Sequence, residues 1–153
     1  MDTEDLLKLL NAHRVEFVII GATAFPIHGY ARATLDIDIF IRPEPPNAVR
    51  LFDALREFGY DVADITADDL LTKKVLIRQY LVETDIHPFV RGVTFEQVWE
   101  NRIPGTYGNE KVFYPSLDDL IRMKQAAGRP KDFEDLKILQ ALKRKKKKIE
   151  TRR

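Results

Sequence analysis

Apolar residues recur along this chain in two spacings, and each spacing predicts a different kind of element. Four leucines between positions 6 and 10 have the spacing of an amphipathic helix, which we expect to run from Thr3 to Arg14 and to lie over a sheet. The unbroken apolar run Phe17–Ile20 predicts a buried strand that enters a turn at Gly21. A short helix is expected next, from Ala22 to His28, with Gly29 at its end.

The remaining patterns predict further helices and strands. We expect helices at Asn47–Phe58, Thr66–Thr72, Thr94–Asn101 and Phe133–Lys145, and one that begins after Ser116 and ends at Gly128. Strands are expected over Val75–Ile86, as one long strand or a bent pair, and over Val112–Tyr114. The helix from Asn47 is expected to bury Val49, Phe52, Leu55 and Phe58. These elements predict an α/β or α+β fold, in which a short mixed sheet carries flanking helices on one side and a helical C-terminal part follows.

Two aspartates interrupt what otherwise reads as a buried strand between Arg32 and Ile41. Side chains alternate across a strand, so Asp36 and Asp38 point the same way while the isoleucines beside them point to the other face. Neighbouring carboxylates repel each other, and such a pair is either solvated at a strand end or bridged by a cation. A hard divalent ion, Mg²⁺ or Mn²⁺, is the natural partner for several carboxylate oxygens.

A third carboxylate is expected from the strand segment that ends near His87. Alternation places Leu81, Glu83, Asp85 and His87 on one face. Asp85 could therefore join the two aspartates across a sheet, and Glu83 has the same parity and is the alternative. We regard His87 as a position near the site, because histidines in such places more often form local hydrogen bonds than take part in chemistry.

Composition narrows the function classes. A chain of 153 residues with 44% hydrophobic and 32% charged residues is expected to form one globular domain. The absence of cysteine excludes disulfides, cysteine-ligated zinc and thiol chemistry. The sequence has no apolar run long enough to span a bilayer and begins with acidic residues, so we expect a cytoplasmic protein without membrane contact.

Positive charge is concentrated near the C-terminal end. The net charge is only +1, yet six consecutive basic residues occupy Lys143–Lys148. We therefore divide the chain into a single domain at 1–142 and a basic tail at 143–153. Such a run is typically a solvated helix end or tail, and the alternative is a contact with RNA or tRNA phosphates.

Several short motifs occur in the order found in one large superfamily. They are Gly21-Ala22, His28-Gly29, Arg32, Thr34, Asp36-Ile37-Asp38, Asp85, and the segment Leu120–Asp132. This ordered set resembles the signature of the nucleotidyltransferase superfamily that includes DNA polymerase β, and the likeness is greatest to its minimal members around the AbiEii-type toxins. The resemblance extends from Phe17 to about Leu142.

The resemblance implies a site that holds a nucleoside triphosphate such as ATP together with two divalent ions. It implies that Asp36, Asp38 and Asp85 bind Mg²⁺ or Mn²⁺ and form the catalytic set. The residues that it implies in nucleotide binding are Gly21, Ala22, Thr23, Arg32, Thr34 and Lys124, with His28 and Asp132 as additional positions.

The implied reaction transfers a nucleoside monophosphate from the triphosphate to an acceptor, with pyrophosphate leaving. The acceptor classes are RNA or tRNA, a protein hydroxyl and a small molecule. The toxin of a toxin–antitoxin pair, with a cognate antitoxin as partner, is one form of this function. Ala22 stands where the superfamily usually has glycine or serine, so a weak or inactive regulatory module that binds nucleotide or RNA is the alternative. The same carboxylates could also support transfer of a γ-phosphate.

Overall fold

The computed structural model describes residues 2–32, 34, 36–78 and 83–151. The α-helices in this part of the chain, α1 to α6, span Thr3–Ala12, Pro45–Phe58, Asp69–Thr72, Phe95–Glu100, Leu117–Ala127 and Phe133–Thr151. The strands β1 to β6 span Phe17–Ile20, Asp36–Ile41, Val75–Ile77, Glu83–His87, Ile103–Tyr107 and Glu110–Tyr114. Short 3₁₀ turns lie at Gly21–Ala24, Pro26–His28 and Pro130–Asp132.

Four strands form a mixed sheet in the order β1-β2-β4-β3. Strand β2 runs parallel to β4, and the other two neighbouring pairs are antiparallel. Strands β5 and β6 form a separate antiparallel hairpin that packs against β1. The expected short mixed sheet with flanking helices is confirmed. The segment predicted as one strand or a bent pair forms two paired strands, β3 and β4, and Leu81 of that prediction lies outside the described residues.

The core forms where the sheet meets the first helices. Strand β1 is buried at all four positions, as its unbroken apolar sequence predicts. Helix α1 adds Leu6, Leu7 and Leu10, which have no exposed surface. A capping box fixes the start of this helix, because Asp2 and Asp5 each accept a hydrogen bond from the other's backbone N–H. Each fully buried leucine contributes about 2 kcal/mol of stability, so this packing anchors the strands that carry the polar residues.

Helix α2 begins before the predicted Asn47 and turns a different face inward. Pro45 starts it, because a proline at the first helical turn lacks only an N–H that would have no helical partner. Leu55 and Phe58 are buried as expected, whereas Val49 is 50% exposed, so that part of the prediction was wrong. Asn47 is buried instead, and its side-chain amide donates to two backbone carbonyls beside the strand ends.

Three further segments differ from the sequence prediction. Residues 21–28 form two 3₁₀ turns rather than one short helix, because Pro26 has no N–H to continue the hydrogen-bond pattern across their junction. Strand β5 is absent from the prediction, since Pro104 and Gly105 disfavour strands. Helix α6 continues past Lys145, through the basic run, to Thr151. Of the helices in the described part of the chain, none combines the length and the apolar composition needed to cross a membrane.

Candidate active site

A cavity of about 660 Å³ opens between the parallel strand pair and the last two helices. Two groups of ionisable side chains line it. The first group, the strand wall, comprises Asp36, Asp38, Asp85 and His87. The second group, the helix wall, comprises Lys124, Arg129, Asp132 and Asp135. The cavity therefore depends on elements from both halves of the chain.

The register of the parallel strands brings the strand wall together. Asp38 lies opposite Asp85, and Asp36 lies opposite Glu83. Since opposite residues on neighbouring strands point to the same face, these four carboxylates lie on one side of the sheet. One ligand atom from each of Asp38, Asp85 and His87 lies within 4.8 Å of the other two. The imidazole Nε2 of His87 is 2.8 Å from Asp38 Oδ1.

Gly21 lies directly against this cluster, at the end of β1. Its φ of +72° is a left-handed conformation that residues with a side chain rarely adopt. A Cβ atom at this position would lie 2.7 Å from Asp38 Oδ2. Glycine is therefore needed for two reasons, the turn itself and the free space beside the Asp38 carboxylate.

Protein cations contact the acidic residues of β4. Arg78 Nη1 lies 2.5 Å from Asp85 Oδ1, and Lys74 Nζ lies 4.0 Å from Asp85 Oδ2. Glu83 stands outside the ligand cluster found among the described residues. It forms a hydrogen bond with Asp36 instead, and this bond between two carboxyl groups raises the pKa of Glu83. Asp85 is thus the carboxylate of β4 that belongs to the cluster.

In the helix wall, Asp132 is buried and paired with two cations. Its carboxylate accepts hydrogen bonds from Lys124 Nζ at 3.0 Å and from Arg129 Nε at 2.7 Å. Asp132 is only 2% exposed, so burial opposes its charge, but the two cations outweigh burial and lower its pKa to about 2. This carboxylate is therefore held in its charged form.

Asp135 links the helix wall to the segment that precedes β2. Its carboxylate forms an ion pair with Arg32 and another with Lys124, the latter at 3.3 Å. Both cations that the resemblance implies in triphosphate binding therefore already have carboxylate partners. Two further cations that line the cavity form no ion pair with any described residue: Arg91 and Lys131.

A family model described as "Nucleotidyltransferase of unknown function (DUF6036)" matches residues 2–144. The chain belongs to this nucleotidyltransferase family. The matched range contains both walls of the cavity. No curated protein matches the chain significantly. The superfamily resemblance inferred from the ordered motifs is thereby confirmed, and the closer likeness to AbiEii-type toxins stays a prediction.

The cavity of this nucleotidyltransferase-family protein contains most of the residues that the sequence singled out. Those that line it are Gly21, Ala22, Arg32, Asp36, Asp38, Asp85, Lys124 and Asp132. Thr23 and Thr34 lie instead in a neighbouring depression of about 370 Å³, which Arg32 and Asp36 also line. His28 belongs to neither lining. Its imidazole Nε2 is 2.9 Å from the carbonyl oxygen of Pro115, and burial lowers its pKa.

Some residues of this family member's site escaped the sequence analysis. Arg78 reaches Asp85 across the β3–β4 pair, and nothing in the spacing of a short strand reveals such a contact. Asp135 was not singled out because it fits the polar positions of the amphipathic helix α6. Its place three residues after Asp132, near a helix boundary, could have indicated a role in the site. His87, expected only near the site, is part of the ligand cluster.

Proposed function

We propose that this protein is a metal-dependent nucleotidyltransferase that moves a nucleoside monophosphate from a nucleoside triphosphate to an acceptor hydroxyl. The observation that carries the proposal is the convergence of Asp38, Asp85 and His87, beside Asp36, in one cavity that cations also line. Clustered carboxylates cost free energy unless a cation joins them, and with divalent ions they can catalyse transfer at phosphorus. The family match over residues 2–144 supports the same chemistry.

The donor set fits divalent ions. Asp36, Asp38 and Asp85 offer the carboxylate oxygens that Mg²⁺ and Mn²⁺ accept, and the space that Gly21 leaves beside Asp38 keeps one oxygen accessible. Two such ions, when bound by these residues, would neutralise charge on the α-phosphate and on the leaving pyrophosphate. We assign to Asp85 the removal of the proton from the acceptor hydroxyl.

The cations of the cavity are proposed to hold the triphosphate. Arg91 and Lys131 have no ion pair with the described residues, so phosphate oxygens can bind them without breaking an existing contact. Arg32 and Lys124 contribute less in this proposal, because each already has a carboxylate partner. The ring of Phe89, which lines the cavity and is 66% exposed, offers a flat face on which a base can stack.

The turn after β1 completes the proposed nucleotide site. Gly21 and Ala22 line the cavity and bring backbone close to the ligand cluster. Thr23 and Thr34 are proposed to contact the nucleotide from the neighbouring depression, where their hydroxyl groups can bind ribose or base.

For the acceptor we propose the end of an RNA, with tRNA as the first to test. The basic run Lys143–Lys148 lies on the exposed surface of α6, and the first turn of that helix supplies Asp135 to the cavity. A strand that enters the cavity could therefore continue along the helix, because lysines bind phosphates without reading sequence. A toxin whose antitoxin controls this activity is one biological setting, and protein hydroxyls and small molecules are the other acceptors to test.

A regulatory module that binds nucleotide or RNA without transfer is the second function considered. The contact between Arg78 and Asp85 favours it, because a protein cation lies 2.5 Å from a carboxylate oxygen that the reaction needs. In that case the protein binds the triphosphate and transfers nothing.

Label transfer tests the proposal. The purified protein is incubated with each nucleoside triphosphate labelled at the α-phosphate, with Mg²⁺ or Mn²⁺, and with total cellular RNA or protein. We expect label in RNA with the wild type and none with Asp36→Asn. Asp53→Asn is the matched control, because Asp53 is a surface carboxylate on α2 that pairs with Arg56 outside the cavity lining.

The other outcomes are equally informative. Absence of label under every condition, with the triphosphate still bound, would overturn transfer and favour the regulatory module. In a parallel reaction with triphosphate labelled at the γ-phosphate, transfer of that label without transfer of the α-label would identify phosphate transfer instead. Label in protein rather than RNA would keep the enzyme and change its acceptor.

A further inference from the structure

The ligand cluster of the strand wall contains one nitrogen donor. His87 follows Asp85 by two positions on β4, so both side chains point to the same face. The His87 side chain is 16% exposed, and its Nε2 atom lies 2.8 Å from Asp38 Oδ1. The imidazole nitrogen is therefore already directed at a carboxylate oxygen that metal binding requires.

The spacing of the three donors fits a shared ion. Ligand atoms of Asp38, Asp85 and His87 lie within 4.8 Å of one another. Ligands that are each about 2.2 Å from one ion lie at most about 4.4 Å apart, so small side-chain movements would be enough to complete the site. The absent Cβ of Gly21 leaves room beside Asp38 Oδ2. Donors and space are thus both present.

We propose that His87 is a ligand in this metal site and that its nitrogen makes the site prefer Mn²⁺ over Mg²⁺. Magnesium is a hard ion that favours an all-oxygen shell, whereas imidazole nitrogen adds affinity for first-row transition ions. One nitrogen among carboxylates shifts the competition toward Mn²⁺ without excluding Mg²⁺. The inference rests on the metal dependence of the proposed function and adds which ion serves it.

A hydrogen bond to Asp38 is the competing role for His87. In that role the imidazole only orients the carboxylate, and its loss weakens the binding of both ions by a similar factor. In the ligand role its loss removes the preference for Mn²⁺. The ratio of the two affinities therefore separates the roles.

The experiment uses the full chain and metal ions alone. Binding of Mn²⁺ is followed through the loss of the electron paramagnetic resonance signal of the free ion, and Mg²⁺ is measured by competition. Pulsed electron paramagnetic resonance on the Mn²⁺-loaded protein reports whether a nitrogen atom binds the ion. We expect the wild type to bind Mn²⁺ at least about tenfold more tightly than Mg²⁺ and to show nitrogen hyperfine coupling.

Three variants are compared with the wild type in these measurements. A melting curve of each variant shows whether it is folded. His87→Asn is expected to lose the nitrogen coupling and most of the preference for Mn²⁺. His87→Asp completes an all-oxygen donor set and is expected to bind Mg²⁺ at least as tightly as the wild type. His13→Asn is the matched control, because His13 pairs with Glu57 outside the cavity lining, and it is expected to keep the coupling and the preference.

Nitrogen coupling that is absent from the wild type, or that persists in His87→Asn, would overturn the inference. An equal loss of affinity for both ions in His87→Asn would overturn it as well. The result is independent of the transfer assay. Nitrogen ligation without label transfer supports the inference and contradicts the proposed enzyme, whereas label transfer without nitrogen coupling does the reverse.

Discussion

The two walls of the cavity differ in how the charge of their carboxylates is neutralised. In the helix wall, Asp132 and Asp135 are buried and each is paired with two cations. In the strand wall, Asp36 and Asp38 lie opposite two further carboxylates on the neighbouring strand. The carboxylates of the helix wall are neutralised within the protein. In the strand wall, Arg78 and Lys74 pair with Asp85, whereas the negative charge of Asp36 and Asp38 is left for a ligand to neutralise.

Because of this difference, we expect the helix wall to contribute mainly to the stability of the fold and the strand wall mainly to ligand binding. A buried carboxylate with two ion pairs stabilises the fold in its charged form, which the low pKa of Asp132 reflects. Carboxylates that face each other cost free energy, and the raised pKa of Glu83 beside Asp36 is a sign of that cost. We therefore expect substitutions in the helix wall to lower stability and substitutions in the strand wall to lower binding and activity.

The largest effect is expected from Asp38→Asn in the strand wall. It should reduce nucleotidyl transfer by at least about a thousandfold, or about 4 kcal/mol, because a charged metal ligand is lost. The free energy of unfolding should be unchanged or higher, since one repelled charge is removed. Transfer kinetics and thermal melting of the same preparation measure both effects. A large loss of stability would break the comparison, because it would make Asp38 a structural residue.

Asp132→Asn should have the opposite profile. The free energy of unfolding should fall by about 3 kcal/mol, because Lys124, which is mostly buried, loses one of its two carboxylate partners and Arg129 loses its ion pair as well. Urea denaturation at neutral pH measures the change. Asp53→Asn, which breaks an exposed ion pair, serves as control and should cost less than about 0.5 kcal/mol. Equal stabilities of the two variants would contradict the role assigned to the helix wall.

The same residue should make stability depend on pH. The folded-state pKa of Asp132 is about 2, below its ordinary value of 3.8, so the unfolded chain takes up the proton first as the pH falls. Its contribution of about 2 kcal/mol is present above about pH 4 and is lost as the pH falls toward about 2. Urea midpoints across this range should fall less steeply in Asp132→Asn than in the wild type. Parallel pH profiles would show that the charge of Asp132 adds nothing to stability.

A smaller effect is expected from Gly21→Ala. Backbone strain at positive φ should cost about 1 to 2 kcal/mol, and the added Cβ should displace the Asp38 carboxylate and weaken Mn²⁺ binding. Gly29→Ala is the matched control, because φ there is +98° but the nearest atom, in Leu142, is 3.8 Å away. Both variants should lose stability, and only Gly21→Ala should lose metal affinity. Equal metal binding by the two would mean that the space beside Asp38 has no function.

The smallest effect on stability is expected outside both walls. The double substitution Lys145→Gln and Lys147→Gln removes exposed charge from α6 and should change the free energy of unfolding by less than about 0.5 kcal/mol. It should weaken RNA binding and lower the salt dependence of the affinity by about one to two counterions. Titrations at several salt concentrations measure this. An unchanged slope would remove the RNA contact from the proposed function.

The sequence predicted the strand wall better than the helix wall, for a physical reason. Alternation along a strand is local, so it shows from the sequence alone that Asp36 and Asp38 share a face and that Asp85 has the matching parity. The partners of Asp135 depend on how a late helix packs against the segment before β2. The periodic spacing of residues along one helix or strand does not indicate such a contact.

Local sequence patterns do not show long-range pairing or packing, and this explains the errors in the predicted fold as well. The first helix and the strand with the two aspartates have periodic patterns, the first strand is an unbroken apolar run, and all three were predicted. Strand β5 was missed because Pro104 and Gly105 argue locally against a strand that pairing with β6 nevertheless forms. Val49 was wrongly placed inward, because the buried face of α2 is formed by Ala48, Leu51, Leu55 and Phe58 at spacings of three or four residues, and Val49 lies outside it.

The ion pair between Arg32 and Asp135 joins positions 103 apart in the chain, whereas Asp38 and His87 are 49 apart. During synthesis, the strands that carry the carboxylates emerge well before the helix that closes the cavity. A growing chain could therefore assemble the acidic half of the site early, but it cannot enclose a triphosphate until the last helix has emerged and docked. On the proposed function, the ability to bind substrate would then mark the end of folding, and a chain truncated before α6 would have the proposed metal ligands without a finished pocket.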